Sequence, residues 1–358
     1  METISIFSKV YQFICDSGFG SKTYNKVKLH KLTYKKLRKM HPKFPSALLQ
    51  TARDLASDSL KRTKLRQKIH CKEYSAIRLD KRNLRVSLRF NQISVSSAYG
   101  RIKFKFTDNP LTLKYKSWQP VSGRLSYRNG QLFLNVVVKT ESPCLQTFSL
   151  NELLGIDRGV NNIAVCSNND FFNSKRLKNT KGKYQYLRKV LQSKGTRSAK
   201  KKLKRISGRE RRFVSDVNHC LSKTIVKSKY KVFVLEKLNT RTNRKLGKKF
   251  NKKLGGWSFK QLELFLTYKS EALGKRVLHV DPRYTSQRCS RCGYTSKSNR
   301  RSNRFRCKVC SFQLHADLNA SRNIASLGKS EISRLHVSQP NVAFSYENSY
   351  EPIFSLGS

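Results

Sequence analysis

Acidic residues are scarce in this chain of 358 residues: 21 Asp and Glu stand against 76 Lys and Arg, giving a formal charge of +55 and a pI near 10.5. A chain so charged repels itself unless a polyanion neutralises it. Long apolar runs are missing too. No stretch of about 18 uncharged apolar residues occurs, so the sequence offers no membrane span, and a membrane surface is only the bland alternative partner for the charge. The opening METISIFSKVYQFICDSGFG carries an early acid and broken hydrophobicity, unlike the basic head and continuous apolar run of a signal peptide. Internal repeats and low-complexity tracts are absent, as are a Walker-type Gly-rich loop, H-E-x-x-H and G-x-S-x-G. What remains is an intracellular, cytoplasmic, nucleoid-associated protein bound to nucleic acid, long enough for two or three domains.

The nine cysteines divide into two groups. Cys15, Cys71, Cys144, Cys166 and Cys220 are scattered without metal spacing and read as reduced thiols of a reducing compartment. Cys289, Cys292, Cys307 and Cys310 form two C-x2-C pairs separated by fourteen residues. Such pairs let four thiolates surround one tetrahedral Zn²⁺; two redox pairs or two disulfides are the competing readings. Because cysteine fills all four positions, the zinc would be structural rather than catalytic. The arginines and lysines between the pairs would let the same knuckle meet phosphate.

Along the chain the hydrophobic period changes three times. Residues 1–30 hold a few apolar positions that read as a first strand, and Lys31 to Lys68 turns helical, with Leu48, Leu49, Ala52, Leu55, Ala56 and Leu60 at three-to-four spacing. From about Lys72 to Glu141 the period is two: Leu84, Val86, Leu88 and Phe90, then Ile102, Phe104 and Phe106, alternate with basic or small polar residues. Asn129-Gly130 between two alternating runs signals a tight hairpin, and the whole reads as an antiparallel sheet or small barrel. The character shifts again near Ser142-Pro143. LLGIDRGVNNIAVCS reads as strand, turn, strand, and Lys175 to Arg212 carries seventeen basic residues against one acid, Glu210, on a thin apolar seam. Long basic helices are expected there, with a disordered basic tail as the alternative. Lys200, Lys201, Lys202, Arg205, Arg211 and Arg212 are the candidate backbone contacts to nucleic acid. Downstream come a helix in FVSDVNHCLSKTIV, a buried strand in KVFVLEKL, a basic loop over 239–256, a helix in WSFKQLELFLTYKSEALG and a strand in RVLHVDP.

Three of the few acids stand in unusual places. Asp157 and Glu236 each end a buried-looking strand, where acids are depleted, and Asp317 begins the helix of HADLNASRN. Singly, each has a plain explanation: a turn residue, a strand-end ion pair and a helix N-cap. Together they describe a site, since adjacent strands and a C-terminal helix can bring three carboxylates to one point. Two Mg²⁺ or Mn²⁺ ions held by such oxygens are the machinery of phosphodiester hydrolysis. Asp281, also at a strand end, is the rival carboxylate and reads as a turn residue before Pro282. His315 reads as a surface or phosphate-facing residue rather than a metal ligand.

The order GIDRG, VLEKL, YKSEALGKRVLHVDPRYTSQRCSRCG, the second C-x2-C and HADLNASRNIA resembles the TnpB family of transposon-encoded, RNA-guided DNA endonucleases, relatives of compact type V CRISPR effectors. The likeness is strongest from Asn151 to Ala325. Arg288, where a small polar residue is more usual, and Ser311, where glycine is common, depart from the pattern. The resemblance implies a multi-domain α/β protein: a β-barrel-like wedge domain from 1–30 and 72–141, a helical recognition bundle at 31–71, and a RuvC-like nuclease core of RNase H fold at 150–280 with basic helices over 175–230. A zinc ribbon at 281–314, the last nuclease helix at 315–328 and a tail of little pattern at 329–358 complete it. It also implies a catalytic triad of Asp157, Glu236 and Asp317, a guide RNA from the transposon end and double-stranded target DNA. Three alternatives stay open: a nucleic-acid binder that does not cut, a transposase acting without guide RNA, and a ribosomal or zinc-ribbon accessory factor.

Overall fold

The computed structural model describes residues 1–128, 130–238, 247 and 258–338, and they form two compact units, Met1–Glu141 and the chain from Ser142 onward. In the first unit, Ile4, Phe7, Val10, Tyr11 and Ile14 recur at three-to-four spacing and lie on one buried face of helix α1 (Glu2–Gly20). Residues 1–30 therefore give no strand. The acid and the polar residues that break the hydrophobic run are the outer face of a helix. Asn25 opens α2 (Lys26–Met40) by accepting the N–H groups of Val27 and Lys28, and α3 (Ser46–Thr63) packs against α1 through Leu48, Leu49, Ala52, Ala56 and Leu60.

Strands β1 (Ile77–Leu79), β2 (Leu84–Ser87), β3 (Gln92–Ser97), β4 (Gly100–Lys105), β5 (Gln119–Arg128) and β6 (Gln131–Lys139) follow, with a one-turn helix α4 (Pro110–Lys114) before β5. They make two antiparallel three-stranded sheets, ordered β2-β3-β4 and β1-β5-β6. The expected alternation ends early at Ser87, and Leu88 to Phe90 form a turn instead. Arg128 pairs with Gln131 across the expected hairpin; Gly130 has φ +81°, while Asn129 lies outside the described residues.

The second unit is built on one five-stranded sheet of order β11-β10-β7-β8-β9, from β7 (Leu153–Asp157), β8 (Asn162–Cys166), β9 (Phe171–Asn173), β10 (Val232–Glu236) and β11 (Arg276–Val280). β10 runs parallel to β7 and β11, and β8 and β9 are antiparallel neighbours. Both faces are covered, which is why β7 and β10 read as unbroken apolar runs. One face, with Leu154, Ile156, Phe233 and Leu235, packs on α7 (Arg209–Lys227) and α8 (Phe259–Glu271). The other, with Leu153, Val232 and Val234, packs on Ile324 and Ile332 of α9 (Ala316–Ser338). The stretch 175–212 is helical, as α5 (Lys175–Lys194), α6 (Arg197–Ile206) and the start of α7. α9 extends ten residues past the expected tail boundary; residues 339–358 and most of the basic loop 239–256 lie outside the described residues. Among the described residues no helix is long and apolar enough to cross a membrane.

Candidate active site and zinc centre

Strand alternation delivers the acids. In β7, Asp157 shares a face with Leu153 and Gly155, and in β10, Glu236 shares a face with Val232 and Val234, the face that α9 covers. The parallel register sets Val234 beside Gly155 and Leu235 beside Ile156, so the two acids end neighbouring strands at the same edge. α9 starts at that edge, with Asp317 in its first turn, where the helix N-terminus favours negative charge. All three acids line one cleft of about 380 Å³, together with Arg158, Thr285 and Arg300.

How closely α9 lies on β7 is set by a glycine. A Cβ on Gly155 would stand 2.1 Å from the Ser321 carbonyl oxygen and 2.5 Å from the Ala325 nitrogen, so only a residue without a side chain fits.

Each carboxylate has its own restraint. Thr285 Oγ1 donates to Glu236 Oε1 at 2.5 Å, and Arg158 Nη2 donates to the Glu236 backbone carbonyl at 2.6 Å. Asp317 accepts from Asn162 Nδ2 and from Arg300 Nη2, each at 3.0 Å. Burial, then the charges of Glu236 and Asp317, push the Asp157 carboxyl up to about 8, with Arg300 and Arg158 opposing; burial also raises Glu236. Two arginines thus offset only part of the crowded negative charge. A set of carboxylate oxygens in this condition fits a hard divalent cation. Arg158 itself is buried and ion-pairs with Glu263 at 2.6 Å, and Glu263 also bonds His279 at 2.9 Å. Asp281, by contrast, is exposed and accepts the Arg283 N–H within its own turn, outside the cleft.

The four cysteines converge. Their sulfurs all lie within 4.8 Å of one another, the one such group of metal-ligating side chains among the described residues; the three acids line their cleft at wider spacing. Cys289 Sγ is 3.7 Å from Cys310 Sγ and Cys292 Sγ is 3.5 Å from Cys307 Sγ. Four thiolates on one tetrahedral Zn²⁺ stand about 3.8 Å apart, whereas a disulfide needs about 2.05 Å, so the spacing fits zinc and not oxidised pairs. Gly293 and Ser311 turn the two knuckles at φ +80° and +54°, which explains why glycine suits the position Ser311 holds. Strands β12 (Arg300–Arg301), β13 (Arg304–Arg306) and β14 (Gln313–His315) complete the ribbon around Phe305.

The ribbon and the acid cleft are joined. Asn319 of α9 bonds the Ser290 N–H and the Arg288 carbonyl, and Asn323 bonds the carbonyls of Arg288 and Thr285, the residue that holds Glu236. Sequence reasoning missed Arg158, Asn162, Thr285, Arg300, Asn319 and Asn323; Arg158, Thr285, Asn319 and Asn323 lie within the motifs that carry the resemblance, whereas Asn162 and Arg300 do not. Lys200, Lys201, Lys202, Arg205, Arg211 and Arg212 are all exposed on α6 and α7, and Arg188 pairs with Glu210 in the same stretch.

Residues 135–246 match the family model described as "Probable transposase", and residues 259–324 match the "Cas12f1-like, TNB domain". The chain is 32% identical over 223 residues to the CRISPR-associated endodeoxyribonuclease Cas12f1 of Sulfoacidibacillus thermotolerans, covering 55% of this chain and 50% of that protein. It is 30% identical over 169 residues to the TnpB-like protein MJ0751 of Methanocaldococcus jannaschii, covering 46% and 60%. The chain thus spans 50% to 60% of the length of these two curated relatives. A cryo-EM structure of a Cas12f1-sgRNA-target DNA complex matches with TM-score 0.62 and 17% identity over 90% of this chain and 80% of that one, a likeness of fold.

Proposed function

We propose that this chain, a relative of TnpB-like and Cas12f1 proteins, is a transposon-associated RNA-guided DNA endonuclease that hydrolyses phosphodiester bonds of double-stranded target DNA. The observation that carries the reading is the meeting of Asp157, Glu236 and Asp317 in one cleft of an otherwise basic protein. Two Mg²⁺ or Mn²⁺ ions held by these acids would supply the activated water and stabilise the leaving oxygen of an in-line displacement. The chain's own residues prepare that arrangement. Thr285 and Arg158 fix Glu236 by side chain and backbone, and Asn162 and Arg300 fix Asp317 from opposite elements.

The sheet order and its parallel and antiparallel strands support a RuvC-like core of RNase H type, and the four cysteines support a structural zinc ribbon. The exposed basic residues of α6 and α7 would hold the guide RNA and its heteroduplex by sequence-blind contacts to the backbone, while base pairing reads the target. The three helices and two sheets of the first unit would act as recognition bundle and wedge.

The test has two steps. RNA co-purifying with the protein, expressed with its native flanking DNA, is expected to be one discrete species ending in variable sequence. DNA matching that variable end should then be cut in Mg²⁺, and Asp157→Ala, Glu236→Ala and Asp317→Ala should each lower the rate at least about a thousandfold. Cutting that persists in all three variants would sink the proposal. A second reading, a transposase working without guide RNA, is favoured only by the description of the matched family and requires strand transfer of transposon ends by the RNA-free protein.

A further inference from the structure

The acid cleft is continuous with a second hollow of about 500 Å³, since Asn161, Arg300 and Asp317 line both. Its volume lies within the range of about 300–1,000 Å³ typical of small-ligand sites. Three separate pieces of chain wall it: the β7–β8 turn with Asn161 and Asn162, the β12–β13 turn with Ser302 and Asn303, and His315 just before α9. No aliphatic side chain and no acid other than Asp317 lines it.

The lining is rich in donors and firmly placed. The Asp317 N–H donates to His315 Nδ1 at 3.3 Å, which leaves Nε2 as the ring's donor, and the edge-on Phe171 ring, 5.1 Å away, holds the imidazole. The Asn303 carbonyl accepts the Ala316 N–H at 2.8 Å, which pins the turn, while among the described residues the Asn303 amide and the Ser302 hydroxyl make no side-chain hydrogen bond. Asn161 is pinned through its carbonyl by Ser174, and its side-chain oxygen takes the Lys178 ammonium at 2.8 Å, bringing a second cation to the rim. Guanidinium, amide, hydroxyl and imidazole N–H around a polar hollow suit phosphate and sugar oxygens.

We infer that this hollow is a subsite for the deoxynucleotide adjoining the scissile phosphate, with Asn303 and His315 donating to its phosphate. The inference rests on the endonuclease reading and assigns half of its substrate grip to the turn of the zinc ribbon.

The test uses the guide-loaded protein and DNA carrying one uncharged methylphosphonate, placed in turn on each phosphate flanking the cut. At one of the two positions the modification should slow wild-type single-turnover cleavage about tenfold, the loss expected for one hydrogen bond to a charged group. Asn303→Ala, which keeps the backbone bond to Ala316, and His315→Phe, which keeps the ring against Phe171, should each slow unmodified DNA by a similar factor. Either variant combined with that methylphosphonate should be no slower than either change alone. Zinc content and melting temperature of Asn303→Ala should match wild type, separating lost substrate contact from a lost ribbon. Wild-type rates in both variants, or losses that multiply with the methylphosphonate at both positions, overturn the subsite while leaving the endonuclease standing. Cleavage that survives Asp157→Ala overturns the endonuclease reading and the subsite with it.

Discussion

Gly155 governs the site without touching chemistry. Any Cβ there meets the backbone of α9, which cannot yield as a flexible side chain would, so Gly155→Ala must lift the helix that carries Asp317. The expected cost is about 2–3 kcal/mol of stability by overpacking, with cleavage falling further than stability, read by denaturant unfolding beside single-turnover rates. Arg158 acts from below. Its buried guanidinium serves the carbonyls of Glu236 and Phe259 and the Glu263 carboxylate, so Arg158→Met should cost about 2 kcal/mol, less than a fully buried pair because Glu263 is 31% exposed. At this scale the sequence was legible where residue type was rare for its setting: an acid at the end of an apolar strand stands out. Arg300 could not be found in the same way. Among 76 basic residues, the one that reaches Asp317 is chosen by the docking of the ribbon, which local pattern does not encode.

The elements differ in how their identity was written. β7 and β10 were readable because strands buried on both faces are apolar throughout, and α6 because its basic residues leave only a narrow seam. α1 was not. Its apolar positions share one face, but the phenylalanines and isoleucines that make them up are also strand formers, and the tertiary partner α3 decides the matter. Of the strands after it, β2, β4, β5 and β6 were legible in the alternation and β1 and β3 were not, and the grouping of all six into two sheets depends on pairings distant in sequence. The ribbon is the element most exposed to test. Chelation of zinc, or Cys292→Ser, should release the knuckle that Asn319 and Asn323 hold against α9. The expected result is loss of about one equivalent of zinc, a lower melting temperature and loss of cleavage that added Mg²⁺ does not restore, measured by metal analysis and calorimetry.

For the whole molecule, the clustered acids set the pH behaviour. Asp157, ordinarily near 3.8, titrates at about 8 in the metal-free fold, and Glu236 is raised in the same direction. A carboxyl raised on folding holds a proton that the unfolded chain has released, so its contribution is complete at low pH and is lost as pH climbs towards 8. Glu263 has the opposite sign. Its bonds to His279 and Arg158 hold it near 2, and that contribution is lost only as pH falls below about 4.5. Metal-free protein should therefore lose stability between pH 5 and 8, and saturating Mg²⁺, which favours the carboxylates, should flatten that slope. Unfolding midpoints with and without Mg²⁺ across this range would check it; a metal-free midpoint independent of pH would contradict the crowding.

The order of the acids along the chain also has a consequence in time. β7 and β8 are made first, but the strand at their side and the helix that seals Gly155 come from later sequence, and the ribbon is made before that helix. At translation rates of about 5–20 residues per second, Asp317 is added roughly 10–30 seconds after Asp157. Until then the nascent chain carries its basic helices, yet it lacks the carboxylate that closes the cleft. A chain of this design leaves the ribosome with its basic helices made before the three acids can meet.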